Sequence, residues 1–329
     1  MNDDHDPRAA AVTRLLAHLD ARVLGQREAA ELLVIAYLAG GHALVRGVPG
    51  IGKTRLARAL AEALGLSLAR VQFTPDLMPA DVTGSSVFDP ASRRFELVRG
   101  PVFTDLLLAD EINRTPPKTQ AALLEAMQER QVTIDGETHR LPDVFFVMAT
   151  QNPVEFEGTY PLPEAQSDRF LLRIDMGLPD AESELALYRL ALGEDLSRFV
   201  PAPPAAGAVD PETARTLRGA AGATHVAPEL LGYLRALADA VRRSPHVELG
   251  PSPRAALALL AAARAAPLLE DRGFVVPDDL QRLLVPCWAH RILLTAEAEL
   301  EGLDAPGVLE QARAAVPVPR APRAGAAPA

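Results

Sequence analysis

Eight residues, Gly47 to Thr54, read Gly-Val-Pro-Gly-Ile-Gly-Lys-Thr. Glycines at 47, 50 and 52 let a backbone turn its N–H groups inward and approach a ligand closely. A lysine and a hydroxyl residue at the end of such a loop suit a polyphosphate. The amides cradle oxygens, the ammonium reaches the β and γ phosphates, and the hydroxyl faces Mg2+. The chain has 33 basic side chains, yet only Lys53 and Lys118 are lysines. The arginine bias is compositional, but the exception at 53 is chemical. Arginine is a wide planar fork and lysine a point charge on a thin stem, and only the second fits a loop closed around phosphates. Gly47, Val48, Pro49, Gly50, Ile51, Gly52, Lys53, Thr54 and the adjoining Arg55 are therefore the candidate nucleotide-binding residues.

A second group follows in Leu-Leu-Leu-Ala-Asp-Glu, 106–111. An aspartate ending an apolar strand can hold the magnesium water shell, and a glutamate beside it can polarise an attacking water. Thr54 and Asp110 are thus the candidate metal residues, and Glu111 the candidate base. The acidic pair points to cleavage of the nucleotide and not to binding alone. Guanine recognition normally needs Asn-Lys-x-Asp, which neither lysine can supply, so ATP is expected over GTP.

These groups need a scaffold. Residues 42–46, 67–73, 105–111, 144–150 and 170–176 are apolar at nearly every position, as strands buried on both faces are. Helical spacing separates several of them, as at 53–64 and 118–130. The alternation predicts an α/β fold with a mostly parallel sheet, and it places the glycine loop between a strand and a helix. Two stretches break the alternation. Residues 84–100 read as two strands around a turn, and 131–141 hold an Asp-Gly pair between alternating residues, a hairpin signal. Beyond the Pro/Ala-rich 198–211, taken as a linker, only amphipathic helices are expected. The predicted layout is a core at 1–197, the linker, a helical lid at 212–313 and a disordered tail at 314–329.

Composition narrows the function. A net charge of −10 argues against nucleic acid as the main partner. The single cysteine, Cys287, excludes an internal disulfide and a multi-cysteine zinc site and reads as core packing. The acidic start lacks the apolar run of a secretory signal, and the run ending at His42 is too short to span a bilayer, so a soluble, cytoplasmic protein is expected.

Further segments stand in order around the two motifs: Val-Leu-Gly-Gln at 23–26, Val-Met-Ala-Thr-Gln-Asn-Pro at 147–153, Leu-Pro-Glu-Ala-Gln-Ser-Asp-Arg-Phe at 162–170 and Gly-Pro-Ser-Pro-Arg-Ala at 250–255. With Ala-Asp-Glu-Ile-Asn-Arg, Gln-Ala-Ala-Leu-Leu-Glu-Ala-Met-Gln-Glu and Gly-Thr-Tyr-Pro-Leu-Pro-Glu-Ala-Gln, the set resembles the AAA+ ATPases, and more closely their MoxR family, over about residues 10 to 313. The family's usual leucine before Asp-Arg-Phe is Ser167 here. The resemblance implies a P-loop NTPase core with an all-helical lid. It makes Val23 and Gly25 lining of the adenine pocket, Asn152 a sensor that orients the lytic water with Glu111, Arg169 an arginine finger, and Arg254 a second sensor reaching from the lid to the γ-phosphate. It also implies a homo-oligomeric ring of six subunits, a partner bearing a von Willebrand factor A domain, and a protein client. The two hairpins would then be the helix-2 insert and the pre-sensor hairpin, facing the pore. The expected function is chaperone-like: Mg-ATP hydrolysis that remodels, matures or activates the client. The alternatives are a nucleic-acid motor or loader, a magnesium chelatase-type subunit, and a nucleotide-gated scaffold without turnover. Intact Glu111, Asn152 and Arg169 weigh against the last.

Overall fold

The computed structural model describes residues 7–153, 160, 162–193 and 207–319. Five parallel strands form the central sheet: β1 (Ala43–Arg46), β2 (Leu68–Gln72), β5 (Leu106–Asp110), β8 (Phe146–Gln151) and β9 (Leu172–Asp175), in the order β2-β5-β8-β1-β9. All five lie where the sequence placed them. In the three inner strands β1, β5 and β8 the side chains alternate between two apolar layers, as double burial requires, whereas the edge strands β2 and β9 are buried at fewer positions. Val45, Leu106, Leu108, Phe146 and Met148 face one layer, and Leu44, Leu107, Ala109, Val147 and Ala149 the other.

Helices α1 (Pro7–Arg22), α2 (Arg27–Leu38) and α3 (Lys53–Leu64) contribute to the first layer, and α4 (Pro79–Thr83) and α5 (Pro117–Glu129) to the second. Two antiparallel hairpins interrupt the alternation as expected: β3 (Gly84–Asp89) with β4 (Arg94–Arg99), and β6 (Gln131–Ile134) with β7 (Glu137–Arg140). Asp135 and Gly136 both have positive φ, 49° and 84°, the geometry that makes Asp-Gly a hairpin turn.

A single turn, α6 (Glu164–Ser167), precedes β9, and α7 (Ala181–Ala191) follows it. The lid holds α8 (Pro211–Leu217), α9 (Pro228–Arg242), α10 (Pro253–Ala265), α11 (Pro277–Trp288), α12 (Ala296–Leu300) and α13 (Ala305–Ala315). Asp210, Ser252, Thr295 and Asp304 cap α8, α10, α12 and α13 by accepting backbone N–H groups of the first turn. The lid is not purely helical. β10 (Val247–Leu249) pairs antiparallel with β11 (Leu293–Leu294), a ribbon too short for its apolar pattern to stand out in sequence. The proposed linker lies mostly outside the described residues, of which 207–211 are included. At the C-terminal end α13 runs to Ala315, two residues past the expected lid boundary, with Val308, Leu309 and Ala312 buried.

The lid is not a loose appendage. Its apolar residues, Leu237 and Trp288 among them, are continuous with the layer beneath α1–α3. Arg218, after α8, donates to the carbonyls of Tyr37, Gly40, Gly41 and Phe145, and its guanidinium lies over the rings of Tyr37 and Phe146. Burial lowers its pKa to about 10. Cys287 is buried, as its sequence context suggested, and burial pushes its thiol up to about 12.

Candidate active site

The three central strands β5, β8 and β1 lie side by side, and their carboxyl ends open on one crevice, where open α/β sheets bind ligands. Each strand delivers one part of the candidate chemistry. β1 runs into the glycine loop, β5 ends at Asp110 and β8 leads to Asn152.

In the loop, Gly50 and Gly52 have φ of +86° and +101°, conformations that cost a side-chain residue strain, and Gly52 is the residue before α3. The helix therefore starts with its positive end at the loop. Lys53 is buried, and its ammonium donates to the carbonyls of Gly47 at 2.5 Å and Gln151 at 3.3 Å. A cation tucked against the loop's own carbonyls in a crevice floor is what a polyphosphate would recruit. Thr54, half-buried, follows it at the start of α3, and Arg55 is exposed at the rim. The loop borders a cleft of about 370 Å3 that Val23, Pro49, Ile51 and Arg55 line together with Glu184, Leu187 and Tyr188 of α7. Val23 therefore lies beside the loop. Gly25 does not line this cleft: it borders a neighbouring cavity of about 610 Å3. There a Cβ would meet Pro179 and Ser183 at 2.8 Å, and φ is +71°, so this glycine lets the start of α7 approach.

The acidic pair is held by groups the sequence reading did not find. Asp110 accepts two bonds from Arg70 on β2, at 2.8 and 3.1 Å, and one from the Thr150 hydroxyl at 2.6 Å. Thr150, fully buried on β8, also accepts the backbone N–H of Glu111 at 2.9 Å. Glu111 is in the left-handed region, φ 59° and ψ 49°, a strained conformation for a glutamate that turns its carboxylate off the strand axis. That carboxylate accepts from Gln72 at 2.6 Å and pairs with Arg114 at 3.2 Å. Asn152 is buried one residue past β8. The signal for Arg70 and Gln72 was their alternation with Val71 and Phe73, the two buried residues of that stretch. Thr150 carried none, because a threonine in a strand is ordinary.

The two candidate arginines lie together elsewhere. Arg169 donates to the Leu124 carbonyl of α5 at 2.7 Å. Arg254, at the start of α10, lies 3.4 Å from Asp168, the residue before Arg169. Neither is among the described residues that line the cleft beside the loop. Lys118 is exposed on the first turn of α5, away from these groups' hydrogen bonds.

A family model described as "ATPase family associated with various cellular activities (AAA)" matches residues 42–172, and an AAA lid domain model matches 239–312. "Uncharacterized protein YeaC" of Bacillus subtilis is 44% identical over 306 residues, covering 93% of this chain and 94% of that protein. "Chaperone MoxR1" of Mycobacterium tuberculosis is 38% identical over 308 residues, covering 91% and 80%. This chain belongs to the MoxR family of AAA+ ATPases. A crystal structure of a candidate ATPase from Cytophaga hutchinsonii superposes on it with a TM-score of 0.85 at 36% identity, over 95% of this chain and 96% of that one. The AAA+ core and helical lid anticipated from the motifs are therefore the architecture of this MoxR-family chain, and family membership brings nucleotide binding with it. Among the described residues no helix is long and apolar enough to cross a membrane.

The residues present fit Mg-ATP. The loop glycines leave backbone room where side chains would intrude, Lys53 supplies a buried cation, and Thr54 and Asp110 offer the oxygen donors that a hard divalent ion prefers.

Proposed function

We propose that this chain hydrolyses ATP as a homo-oligomeric ring and uses the cycle to remodel or activate a protein client. The observation that carries the proposal is the convergence of Lys53, the Asp110–Glu111 pair and Asn152 at the ends of three adjacent strands. The loop amides and Lys53 bind and orient the triphosphate. Mg2+, held by Thr54 and Asp110, would neutralise charge on the phosphate oxygens. Glu111 takes the proton of the attacking water, and Asn152, buried just past the end of β8, orders that water.

A transition state that gathers charge on the γ-phosphate calls for an arginine. In their own chain, Arg169 caps a carbonyl and Arg254 leans on Asp168, both apart from the cleft. The reading that uses both is a head-to-tail contact, in which one subunit presents this pair to its neighbour's nucleotide. Such contacts close into rings, six subunits being the family's number. Arg254 would then reach a neighbour's phosphate and not its own. The "Chaperone MoxR1" relative favours a protein client over nucleic acid, as does the net charge of −10. The two hairpins are the parts available to touch that client or a von Willebrand factor A domain partner. Phe88 and Phe95, stacked edge-to-face at 5.4 Å, stand exposed on β3–β4. The cytosol is the compartment that supplies ATP.

Glu111→Gln tests the reading. It should bind ATP, stop turnover and hold client and partner in a complex that can be isolated. Removal of residues 135–138 should leave basal turnover near the parent's and abolish client activation. Parental turnover in Glu111→Gln would exclude the assignment of the base.

A further inference from the structure

The segment that carries Arg169 is gripped from the lid by a residue outside the family motifs quoted above. Arg291 follows α11, and its side chain is 4% exposed. Its guanidinium donates to the carbonyls of Asp168 at 3.1 Å, Phe170 at 2.8 Å and Leu171 at 3.3 Å, and to that of Cys287 in α11 at 2.9 Å. Its Nε lies 2.8 Å from the Asp168 carboxylate as a charge pair. His290 beside it donates to the Phe170 carbonyl at 3.0 Å. The other oxygen of Asp168 faces Arg254. The two lid arginines belong to one unit, because Trp288 of α11 donates its indole N–H to the Ala255 carbonyl of α10 at 2.9 Å.

Carbonyl capping alone does not require this arrangement. Arg218 caps four carbonyls with aromatic faces and no carboxylate. What differs here is Asp168, a single carboxylate held between two lid arginines and adjacent in the chain to Arg169. From the core side the same segment is held by Phe170, which is buried in the second apolar layer, and by the Leu171 N–H, which donates to the His42 backbone carbonyl. It is therefore the joint between lid and sheet. A planar five-donor fork fixes three carbonyls and a carboxylate in one geometry, which an ammonium cannot do.

We propose that Arg291 is a positioning residue that ties the Arg169 segment to the lid, so that the arginine offered to the neighbouring subunit moves with the lid. The proposal rests on the reading of Arg169 as acting across the subunit contact, and complementation between variants separates the two. Lys53→Ala chains have a dead nucleotide site and an intact arginine, and Arg169→Ala chains the reverse. Their mixture should recover turnover; if it does not, the shared-site reading falls, and this inference with it.

Given recovery, Arg291→Lys is the test. In homogeneous assemblies kcat should fall on the order of 10- to 100-fold, the cost of a catalytic group displaced by about an ångström, while KM for ATP stays within about twofold. Mixed with Lys53→Ala it should recover turnover, and mixed with Arg169→Ala it should not. Asp168→Asn, which removes the shared charge and keeps the side chain's size, should behave alike and carries the test if Arg291→Lys does not fold or assemble. Parental turnover in both variants, recovery on mixing with Arg169→Ala, or failure to recover with Lys53→Ala would each overturn the proposal. The last is the result of a merely structural role.

Discussion

Thr150→Val isolates one hydroxyl on which both acidic residues depend. The Thr150 Oγ1 donates to Asp110 at 2.6 Å and accepts the Glu111 N–H at 2.9 Å, with no solvent contact. Valine has the same shape, so no cavity opens and only the two hydrogen bonds are lost. A hydrogen bond to a charged group contributes about 1.5–3 kcal/mol, and a buried N–H left unpaired costs about 1–3 kcal/mol. Asp110 keeps both bonds from Arg70, which limits the first loss. Glu111 is less protected, because its left-handed backbone already costs about 1–2 kcal/mol and the lost bond is one that holds it. The expected destabilisation is about 3 kcal/mol, a fall in Tm on the order of 5 °C for a chain of this size. Turnover should drop about 10- to 100-fold through misorientation of the Glu111 carboxylate, with little change in KM for ATP. Thr150→Ser keeps the hydroxyl and should retain most of both. Scanning calorimetry and coupled ATPase assays on the three proteins decide the matter. A Thr150→Val protein with parental Tm and kcat would refute the reasoning, and one with raised KM and unchanged kcat would move Thr150's role to nucleotide binding.

Two further outcomes follow from other parts of the molecule. Gly84→Ala should unlock the base of the β3–β4 hairpin, since its φ is +94° and a Cβ would overlap the Val98 carbonyl and lie 2.6 Å from the Gly100 nitrogen; faster tryptic cleavage at Arg93 and Arg94 reads this out, and unchanged cleavage would contradict it. Acid should weaken the fold before the carboxylates titrate. Burial and the Arg218 charge hold His42 at about 3 against an ordinary 6.5, and burial and Arg291 hold His290 at about 3. The unfolded chain takes up these protons below about 6.5 and the folded chain does not until about 3, so the stability present above 6.5 is lost as pH falls through that window. Each histidine contributes a slope of up to about 1.4 kcal/mol per pH unit, and a urea midpoint that stays flat from pH 7.5 to 5 would exclude it.

The sheet was legible because its inner strands are buried on both faces. Leu106–Ala109 and Phe146–Ala149 are apolar at every position, a pattern that needs no partner to be recognised. The glycine loop was legible because three glycines and one of the chain's two lysines fall within eight residues of an arginine-rich sequence. The Asp-Gly turn at 135–136 was legible because its positive φ values admit few residues. The β10–β11 ribbon was not, since a two-residue strand has no period to read.

Sequence alone determined the parallel fold, the loop, the acidic pair and the order of the candidate residues along the chain, because each is a local rule of spacing or backbone conformation. Only the tertiary structure decided what holds them. Arg70 and Thr150 meet Asp110 from 40 residues away on either side, and Arg291 meets Asp168 across more than a hundred. It also set Gly25 against the start of α7 and Arg254 beside the Arg169 segment. Hydrogen bonds and charge pairs of this kind depend on distance in space, which spacing along the chain does not encode.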